Sequence, residues 1–312
     1  MKKILILLIM VLSFALIFAN VENYEYFDVQ GHRGCRGLMP ENTLAGFRYA
    51  IEELNVNTIE LDVGITKDKV LVLNHDTYLN PARTSKNGEF LSDNTRIYIK
   101  DLTLEEIKEY DVGKLKNQYS FPDQKQIDGE KIPTLQEVID LVKAYEEETG
   151  KKIRMNIETK INALNPNETF SAELFEDLLL DIIYQNEIQD QVSIQSFYWK
   201  TIMDIKESNP EIITVALISN SRLRYTEWFN GLDIDDFDSF AEFIAASNAD
   251  VLSMSYADLK REYIDELHDF GIKVIPYTIN DVYYMKKFIA RGVDGIITDY
   301  PNYLNDLLGR EY

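Results

Sequence analysis

The sequence of 312 residues contains one cysteine, Cys35, and only three histidines. Without a second cysteine the chain cannot form an intrachain disulfide, and we expect Cys35 to fill space in a loop. Basic residues are also few, because 32 lysines and arginines face 53 aspartates and glutamates and the formal net charge is −21. Nucleic acid requires a basic surface, so the composition excludes a nucleic-acid partner.

Linkers are lacking as well, since no stretch rich in proline, glycine or serine divides the chain. With 45% hydrophobic residues, the chain can build the core of one large domain. Its one long hydrophobic run is N-terminal, where "MKKILILLIMVLSFALIFAN" has the order of a secretory signal peptide over residues 1–20. We therefore predict an exported protein, periplasmic or secreted. An uncleaved membrane anchor is the alternative, although residues 4–19 fall short of the roughly 20 that span a bilayer.

After the signal, short β-branched runs alternate with helical patterns such as "TLAGFRYAIEEL" and "TLQEVIDLVKAYEEE". The alternation predicts a TIM (β/α)8 barrel over residues 21–312. A doubly wound sheet is the competing layout, but no glycine-rich fingerprint follows the first strand. The eight predicted strands cover residues 27–30, 58–64, 153–158, 191–196, 213–219, 251–255, 273–278 and 295–298.

Residues 77–132 interrupt the alternation, because they are rich in turn formers and have little sustained periodicity. We predict that they form a small insertion after the second strand. In a barrel, such an insertion lies over the end that carries the active site, so we expect it to act as a cap.

Three carboxylates are expected to converge at the mouth of the barrel. Glu60 and Asp62 lie two residues apart on the second strand, and therefore on the same face, and Glu158 ends the third strand. Carboxylates this close repel one another unless a cation lies among them, and an all-oxygen set suits Ca²⁺ or Mg²⁺ rather than zinc. Because an exported protein meets abundant calcium, we expect Ca²⁺, with Mg²⁺ as the alternative.

Two of the three histidines are expected at the same mouth. His32 follows the first strand in "GHRG". If Lys67 and Asp68 are the central pair of a tight turn, antiparallel pairing places His75 beside Glu60. Imidazoles titrate near neutral pH, so a pair can divide proton removal and proton donation in one displacement. The sequence leaves open which histidine does which.

Basic side chains accompany the carboxylates. Arg33 follows His32 directly, and Lys160 lies two residues beyond Glu158. Together with a divalent cation they would make a locally positive pocket in an acidic protein, which suits a phosphate. A phosphodiester is also a substrate for which two proton-transfer groups are useful, because one oxygen attacks while another must leave protonated.

These residues, in this order, resemble the glycerophosphodiester phosphodiesterase family, which has a phospholipase C-like phosphodiesterase barrel. The match covers nearly the whole chain after the signal. It runs through "HRG", "PENT", "IELDVGITKD", "LVLNHD", "RTSKNGEF", "IPTLQEVIDL", "NIETK", "QSF" and "DGIITDYP". The resemblance implies a TIM barrel with a small inserted subdomain, a divalent cation, and hydrolysis of glycerophosphodiesters to glycerol 3-phosphate and an alcohol.

The resemblance also implies roles for individual residues. His32 and His75 match the acid/base pair, Arg33 and Lys160 match the phosphate contacts, and Glu41 matches a residue close to the metal. The implied metal ligands are Glu60, Asp62 and Glu158.

One departure from the family concerns the seventh strand, where Tyr-Thr-Ile-Asn at 277–280 replaces a Trp-Thr-Val-Asn-like segment. Tyr277 keeps an aromatic wall for the glycerol end, so the departure bears on headgroup preference. We expect small substrates such as glycerophosphocholine or glycerophosphoethanolamine. The alternatives are a lysophospholipase D or phospholipase C-like enzyme acting on lipid, and an exported glycerophosphodiester-binding protein. The oligomeric state stays open.

Overall fold

The structure is a computed structural model, in which residues 27–310 are described. The predicted signal peptide, residues 1–20, lies outside the described residues. Within the described range, none of the helices combines the length and the apolar character needed to cross a membrane.

The described chain alternates strands and helices. The strands are β1 (Asp28–Gly31), β2 (Thr58–Ile65), β3 (Leu71–Leu73), β4 (Ser85–Lys86), β5 (Glu89–Phe90), β6 (Arg154–Thr159), β7 (Val192–Ser196), β8 (Ile213–Ile218), β9 (Val251–Met254), β10 (Lys273–Val274) and β11 (Gly295–Thr298). The α-helices are α1 (Leu44–Glu52), α2 (Leu104–Ile107), α3 (Leu135–Thr149), α4 (Ala172–Asn186), α5 (Trp199–Ser208), α6 (Phe240–Ala245), α7 (Arg261–Asp269), α8 (Val282–Ile289) and α9 (Pro301–Leu308). Short 3₁₀ turns cover Ile99–Asp101, Pro166–Glu168, Asn220–Arg222, Thr226–Phe229 and Ile234–Asp236.

Eight parallel strands form a barrel in the order β10, β9, β8, β7, β6, β2, β1, β11. The barrel closes where the chain that follows β10 meets β11: the Ile297 N–H donates to Pro276 O at 3.0 Å, and the Ile279 N–H donates to Ile297 O at 3.1 Å. The predicted TIM barrel is therefore confirmed. The regular part of β10 is shorter than predicted, and Pro276, which has no N–H to donate, lies in the remainder.

Helix boundaries follow local capping chemistry. Thr43 begins α1 by accepting a hydrogen bond from the Gly46 N–H, and Thr134 and Glu137 form a reciprocal capping box at the start of α3. The α3 helix ends at Gly150, whose φ of 72° is a left-handed conformation that suits glycine. The apolar faces of the helices pack on the outside of the barrel and form one large core with its strands.

The hairpin of β2 and β3 differs from the prediction. Val63 pairs with Leu73 and Ile65 with Leu71, and the Thr66 N–H donates to Val70 O at 3.0 Å. The loop therefore contains three residues, 67–69, with Lys69 left-handed at a φ of 67°. The predicted two-residue turn is wrong, and so is the predicted pairing that places His75 beside Glu60. The loop has one residue more than predicted. If the observed register continued beyond Leu73, it would align His75 with Leu61.

The connection from β3 to α3 contains the predicted insertion, residues 77–132, called the inserted segment below. It has its own small cluster of buried apolar side chains, which includes Leu79, Ile107 and Ile132. It packs on the loop that follows β1, where the Lys125 N–H donates to Leu38 O at 2.8 Å and Gln124 Nε2 donates to Arg36 O at 2.7 Å. The inserted segment therefore lies at the end of the barrel where the strands terminate.

Candidate active site

A cavity of about 430 Å³ opens at the C-terminal ends of the barrel strands, the end at which TIM barrels place catalytic residues. Six of the eight predicted site residues line it: His32, Arg33, Glu60, His75, Glu158 and Tyr277. The other two, Asp62 and Lys160, lie beside it in contact with lining residues. A larger cavity of about 820 Å³, around the starts of the strands, contains none of the eight.

The loop after β1 is shaped to carry two site residues. A side chain at Gly31 would place its Cβ 2.0 Å from Gly34 O, so this tight turn requires glycine. Arg33 itself is left-handed, with a φ of 51°, and its backbone N–H donates to Glu60 Oε2 at 2.8 Å. This strained backbone therefore positions a metal-site candidate as well as the Arg33 side chain.

The three predicted carboxylates converge. One oxygen each of Glu60, Asp62 and Glu158 lies within 4.8 Å of the other two, and all three residues are buried. The convergence follows from the pairing of β2 with β6, which sets Asp62 beside Glu158. Neighbouring amides fix the carboxylates, since Gln195 Nε2 donates to Glu60 Oε1 and Asn42 Nδ2 donates to Asp62 Oδ2, each at 2.8 Å.

The electrostatics of this trio favour a cation. Burial and the neighbouring charges of Asp62 and Glu158 raise the pKa of Glu60 well above its usual range. Burial and Asp62 also raise the pKa of Glu158, although Lys160 opposes the shift. The buried Asp62 Oδ1 makes no hydrogen bond. The donor set consists of carboxylate oxygens, one of which has no hydrogen bond, and such a set fits a hard divalent cation.

Arg33 and Lys160 contact carboxylates in this structure. Arg33 Nη1 donates to Glu41 Oε1 at 2.8 Å, and its Nε lies 3.3 Å from Asp62 Oδ2. Lys160 Nζ lies 2.6 Å from Glu158 Oε1 and 3.4 Å from Asp62 Oδ1. Although burial opposes ionisation, Glu158 and Asp62 raise the pKa of Lys160, so its ammonium stays charged.

His32 is held by a buried carboxylate that the sequence analysis did not single out. Its Nδ1 lies 2.5 Å from Asp299 Oδ1, and Asn280 Nδ2 donates to Asp299 Oδ2 at 2.6 Å. A carboxylate only accepts, so Nδ1 carries the proton and Nε2 is left with its lone pair. Burial, with the charge of Arg33, lowers the pKa of His32, so the ring rests neutral.

His75 is part of a second network of charged side chains. Its Nδ1 lies 3.1 Å from Asp76 Oδ1, and Asp76 Oδ2 accepts from Arg83 Nη2 at 2.5 Å. Arg83 Nε also lies 3.1 Å from Glu41 Oε1. Burial and the charges of Lys160 and Arg33 lower the pKa of His75 to about 4. Arg83, from the inserted segment, thus connects the two loops that carry His32 and His75.

The opposite wall of the cavity is aromatic. Tyr277 and Phe197 make an edge-to-face contact with ring centroids 6.1 Å apart. The Tyr277 hydroxyl donates to Ile218 O at 2.8 Å, which fixes the ring.

Sequence reasoning missed the residues that orient the site: Asn42, Asp76, Arg83, Gln195, Asn280 and Asp299. A signal was available for two of them, because Gln195 lies near the end of the predicted strand 191–196 and Asp299 directly follows β11. A polar residue at a strand end is the same pattern that identified His32. The other four lie in loops, and no pattern in the sequence shows where a loop residue points.

Comparisons with known proteins agree with this geometry. The sequence profile of the Glycerophosphoryl diester phosphodiesterase family matches residues 32–303. A glycerophosphodiester phosphodiesterase of Caldanaerobacter subterraneus subsp. tengcongensis is 33% identical, with 90% of this chain and 97% of that protein covered. A glycerophosphodiester phosphodiesterase of Bacillus subtilis is 29% identical, with 87% of this chain and 83% of that protein covered.

A solved structure from Silicibacter pomeroyi has a TM-score of 0.81 and 28% sequence identity, covering 90% of this chain and 93% of that one. The profile alone spans most of the barrel, from the first catalytic candidate to α9. The chain therefore belongs to the glycerophosphoryl diester phosphodiesterase family, and it is an enzyme, a phosphoric diester hydrolase.

Proposed function

We propose that this enzyme hydrolyses small glycerophosphodiesters, such as glycerophosphocholine or glycerophosphoethanolamine, to glycerol 3-phosphate and an alcohol, with a divalent cation and two histidines. The observation that carries the proposal is one cavity lined by both histidines and by Glu60 and Glu158. A phosphodiester needs charge neutralisation and two proton transfers, and this cavity supplies groups for both.

The proposed metal ligands are Glu60, Asp62 and Glu158. Ca²⁺ is the proposed ion, with Mg²⁺ the alternative, because both prefer carboxylate oxygens. When bound, such an ion polarises a phosphoryl oxygen and neutralises part of its charge. The charges of Arg33 and Lys160 act on the phosphate from the same side of the cavity.

The proposed general base is His32. Asp299 accepts its Nδ1–H, which leaves Nε2 able to take a proton and stabilises the imidazolium that results, the arrangement found in other Asp–His pairs. The base would activate either water or the glycerol 2-hydroxyl of the substrate. We favour the neighbouring hydroxyl, whose attack on phosphorus breaks the bond to the departing alcohol and forms glycerol 1,2-cyclic phosphate. Water then opens the ring to give glycerol 3-phosphate, and detection of the cyclic species during turnover distinguishes the two routes.

The proposed general acid is His75. Its pKa of about 4 reflects burial and the positive charges of Lys160 and Arg33. An anionic phosphate bound against those two charges offsets them, and this favours the protonated imidazolium. The ring can then protonate the departing alcohol.

A turnover assay tests the proposal against its alternatives. Glycerophosphocholine and lysophosphatidylcholine are compared with and without a chelator. We expect the first to be cleaved faster, and chelation to abolish cleavage. Preference for the lipid would favour a lysophospholipase D, and binding of glycerophosphocholine without turnover would favour an exported binding protein.

Export is proposed from residues 1–20 alone. Sequencing the N-terminus of the protein recovered from outside the cytoplasm tests it. A mature N-terminus within the first thirty or so residues is expected for a cleaved signal, whereas an intact N-terminus in the membrane fraction would indicate an anchor.

A further inference from the structure

Arg222 is a cavity residue to which no role has been given so far. It lies in the 3₁₀ turn Asn220–Arg222 after β8 and lines the cavity beside Tyr277. Its guanidinium is packed between two rings, with Cζ 3.9 Å from the centroid of Phe197 and 4.7 Å from that of Trp228. Nη1 donates to Ser219 Oγ at 3.0 Å. The side chain is therefore held in one place by contacts that leave its charge intact.

The charge of Arg222 lacks an acidic partner within residues 27–310. None of the ion pairs in that range includes it, and its buried Nε makes no hydrogen bond. The other two arginines that line the cavity both pair with Glu41, Arg33 at 2.8 Å and Arg36 at 3.0 Å. In a chain with a net charge of −21, an unpaired arginine in a cavity is not explained by a shortage of carboxylates.

Two carboxylates that line the cavity could serve Arg222, and both are engaged elsewhere. The charge of Glu158 acts on the guanidinium, but Glu158 pairs with Lys160 at 2.6 Å. Asp258 lines the cavity, and its two oxygens accept hydrogen bonds from Asn220, at 3.2 Å from the backbone N–H and at 2.9 Å from Nδ2. These contacts connect the loops after β8 and β9 and so help to place Arg222. Asp258 therefore supports the loop that carries the guanidinium without neutralising it.

A partly buried charge without a partner costs free energy of folding, unless a ligand completes its hydrogen bonds. The phosphate of the scissile diester has Arg33, Lys160 and the carboxylate-bound cation on its own side of the cavity. Arg222 follows β8, four strands around the barrel from β1 and its Arg33, and packs on the aromatic wall. We propose that Arg222 forms a second anion subsite, which selects glycerophosphodiesters that carry another phosphate or a carboxylate in addition to the scissile phosphate.

A subsite at Arg222 would set the order in which the proposed active site prefers its substrates, and this catalytic consequence rests on the proposed function. A cationic choline next to Arg222 would be repelled, whereas an anionic group would gain a charge-assisted, two-pronged contact with the guanidinium. Such contacts contribute about 1.5–3 kcal/mol, which corresponds to roughly a 10- to 150-fold preference.

The experiment compares four substrates with the wild-type enzyme and with Arg222→Gln. Bis(glycerophospho)glycerol carries a second phosphate, glycerophosphoserine carries a carboxylate, glycerophosphoglycerol is neutral in its headgroup, and glycerophosphocholine is cationic there. We expect the ratio of kcat/KM for the second-phosphate substrate to that for glycerophosphocholine to fall at least tenfold in Arg222→Gln. Arg222→Lys, which keeps the charge, should recover part of the ratio. Comparing the phosphate and carboxylate substrates identifies which anion the subsite prefers.

A matched control lies two residues away. Arg224 is exposed, stacks on Tyr225 and does not line the cavity, so Arg224→Gln removes the same charge from the same loop and should leave the ratio unchanged. Equal losses on all four substrates in Arg222→Gln would overturn the inference, because Arg222 would then contact the glycerol that they share.

A binding measurement tests the role of Arg222 independently of the proposed catalytic function. Titration calorimetry with bis(glycerophospho)glycerol and glycerophosphocholine is carried out in a His32→Ala background, with and without Arg222→Gln, so that the ratio of dissociation constants is measured without turnover. If the wild-type enzyme cleaves none of the four diesters, the proposed function fails, and the binding ratio still decides the role of Arg222. An unchanged binding ratio in Arg222→Gln would refute the subsite.

Discussion

At the scale of single residues, the site depends on pairs in which one side chain fixes another. His32 is the clearest case, because Asp299 selects its tautomer and Asn280 in turn holds Asp299. The chemistry that we assign to His32 therefore requires Asp299, which contacts no proposed metal ligand. Asp299 is a positioning residue.

Asp299→Asn should lower kcat by roughly 10² to 10⁴, because the amide can present its N–H to Nδ1 and favour the wrong tautomer. Cation affinity should stay close to wild type, since the carboxylate trio is untouched. The measurement is kcat with saturating metal, together with the cation concentration that gives half-maximal activity.

The control for Asp299→Asn is an Asp–His pair that lies outside the cavity. Asp294 Oδ2 lies 2.8 Å from His268 Nε2 just before β11, away from the mouth. Asp294→Asn should leave kcat unchanged. A similar loss of kcat in both variants would show that Asp299 acts through folding rather than through His32.

The role of His75 as the general acid can be tested by comparing substrates with different leaving groups. If it protonates the departing alcohol, His75→Ala should cost roughly 10² to 10⁴ in kcat/KM with glycerophosphocholine, and far less with a p-nitrophenyl ester, whose phenolate leaves without a proton. His32→Ala should damage both substrates alike. The comparison is made with saturating metal, so that ligand effects do not interfere. The opposite pattern would exchange the two roles, and equal losses throughout would leave a structural function for His75.

At the scale of elements, strand pairing positions some residues of the site and loop contacts position others. The β2–β6 register places two metal-ligand candidates side by side, whereas the inserted segment reaches the site through Arg83, which contacts Asp76 and Glu41. A strand position is fixed by a ladder of backbone bonds, but Arg83 depends on two ion pairs. The inserted segment can therefore vary more easily than the barrel strands.

Helix α4 contains a carboxyl whose ionisation opposes folding. Burial and the charge of Asp204 raise the pKa of Glu176 to about 7, and its Oε1 makes no hydrogen bond. In the unfolded chain a glutamate ionises near pH 4.3, so the native state loses stability as pH rises from there to about 7. Below that window both states are protonated, and the penalty vanishes.

Glu176→Gln should therefore stabilise the protein by about 1 kcal/mol at pH 8, a figure reduced from the full shift because the side chain is partly exposed, and should have little effect at pH 4. Thermal unfolding at the two pH values measures the difference. Asp177→Asn, at the exposed neighbouring position, controls for the loss of one negative charge. Equal gains in both variants would attribute the effect to net charge rather than to burial.

At the scale of the whole molecule, the barrel and the metal site are separable. The main core lies between the strands and the helices, and a smaller apolar group of Val215, Val251, Ile275 and Ile297 fills part of the barrel interior. The carboxylate trio belongs to neither, since it lies at the mouth. The apolar cores can therefore hold the barrel together without the cation.

Chelation should abolish turnover and leave the far-ultraviolet circular dichroism spectrum within error of the untreated protein. The melting temperature should fall only by the amount that loss of a bound ligand produces, and should rise with added cation in a concentration-dependent way. Restored activity on adding Ca²⁺ or Mg²⁺ identifies the ion. Full activity after exhaustive dialysis against chelator would contradict the metal assignment.

The barrel, its eight strands and the common face of Glu60 and Asp62 were predictable from the sequence alone. These follow from periodicity and from spacing along a strand, which depend on residues near one another in the chain. The alternation of side chains on β2 was enough to put Glu60 and Asp62 on one face.

The remaining contacts of the site depend on how the folded chain brings distant residues together. The hairpin register depended on one residue in a loop, and Lys69 adopts a left-handed conformation that lysine seldom takes, so the extra loop residue had no signal in the sequence. Asp299 and His32 are 267 residues apart along the chain, and Arg83 reaches Glu41 from the inserted segment. Partners this distant are selected by the closure of the barrel and by loop packing, because no local pattern specifies which side chains will meet across the mouth.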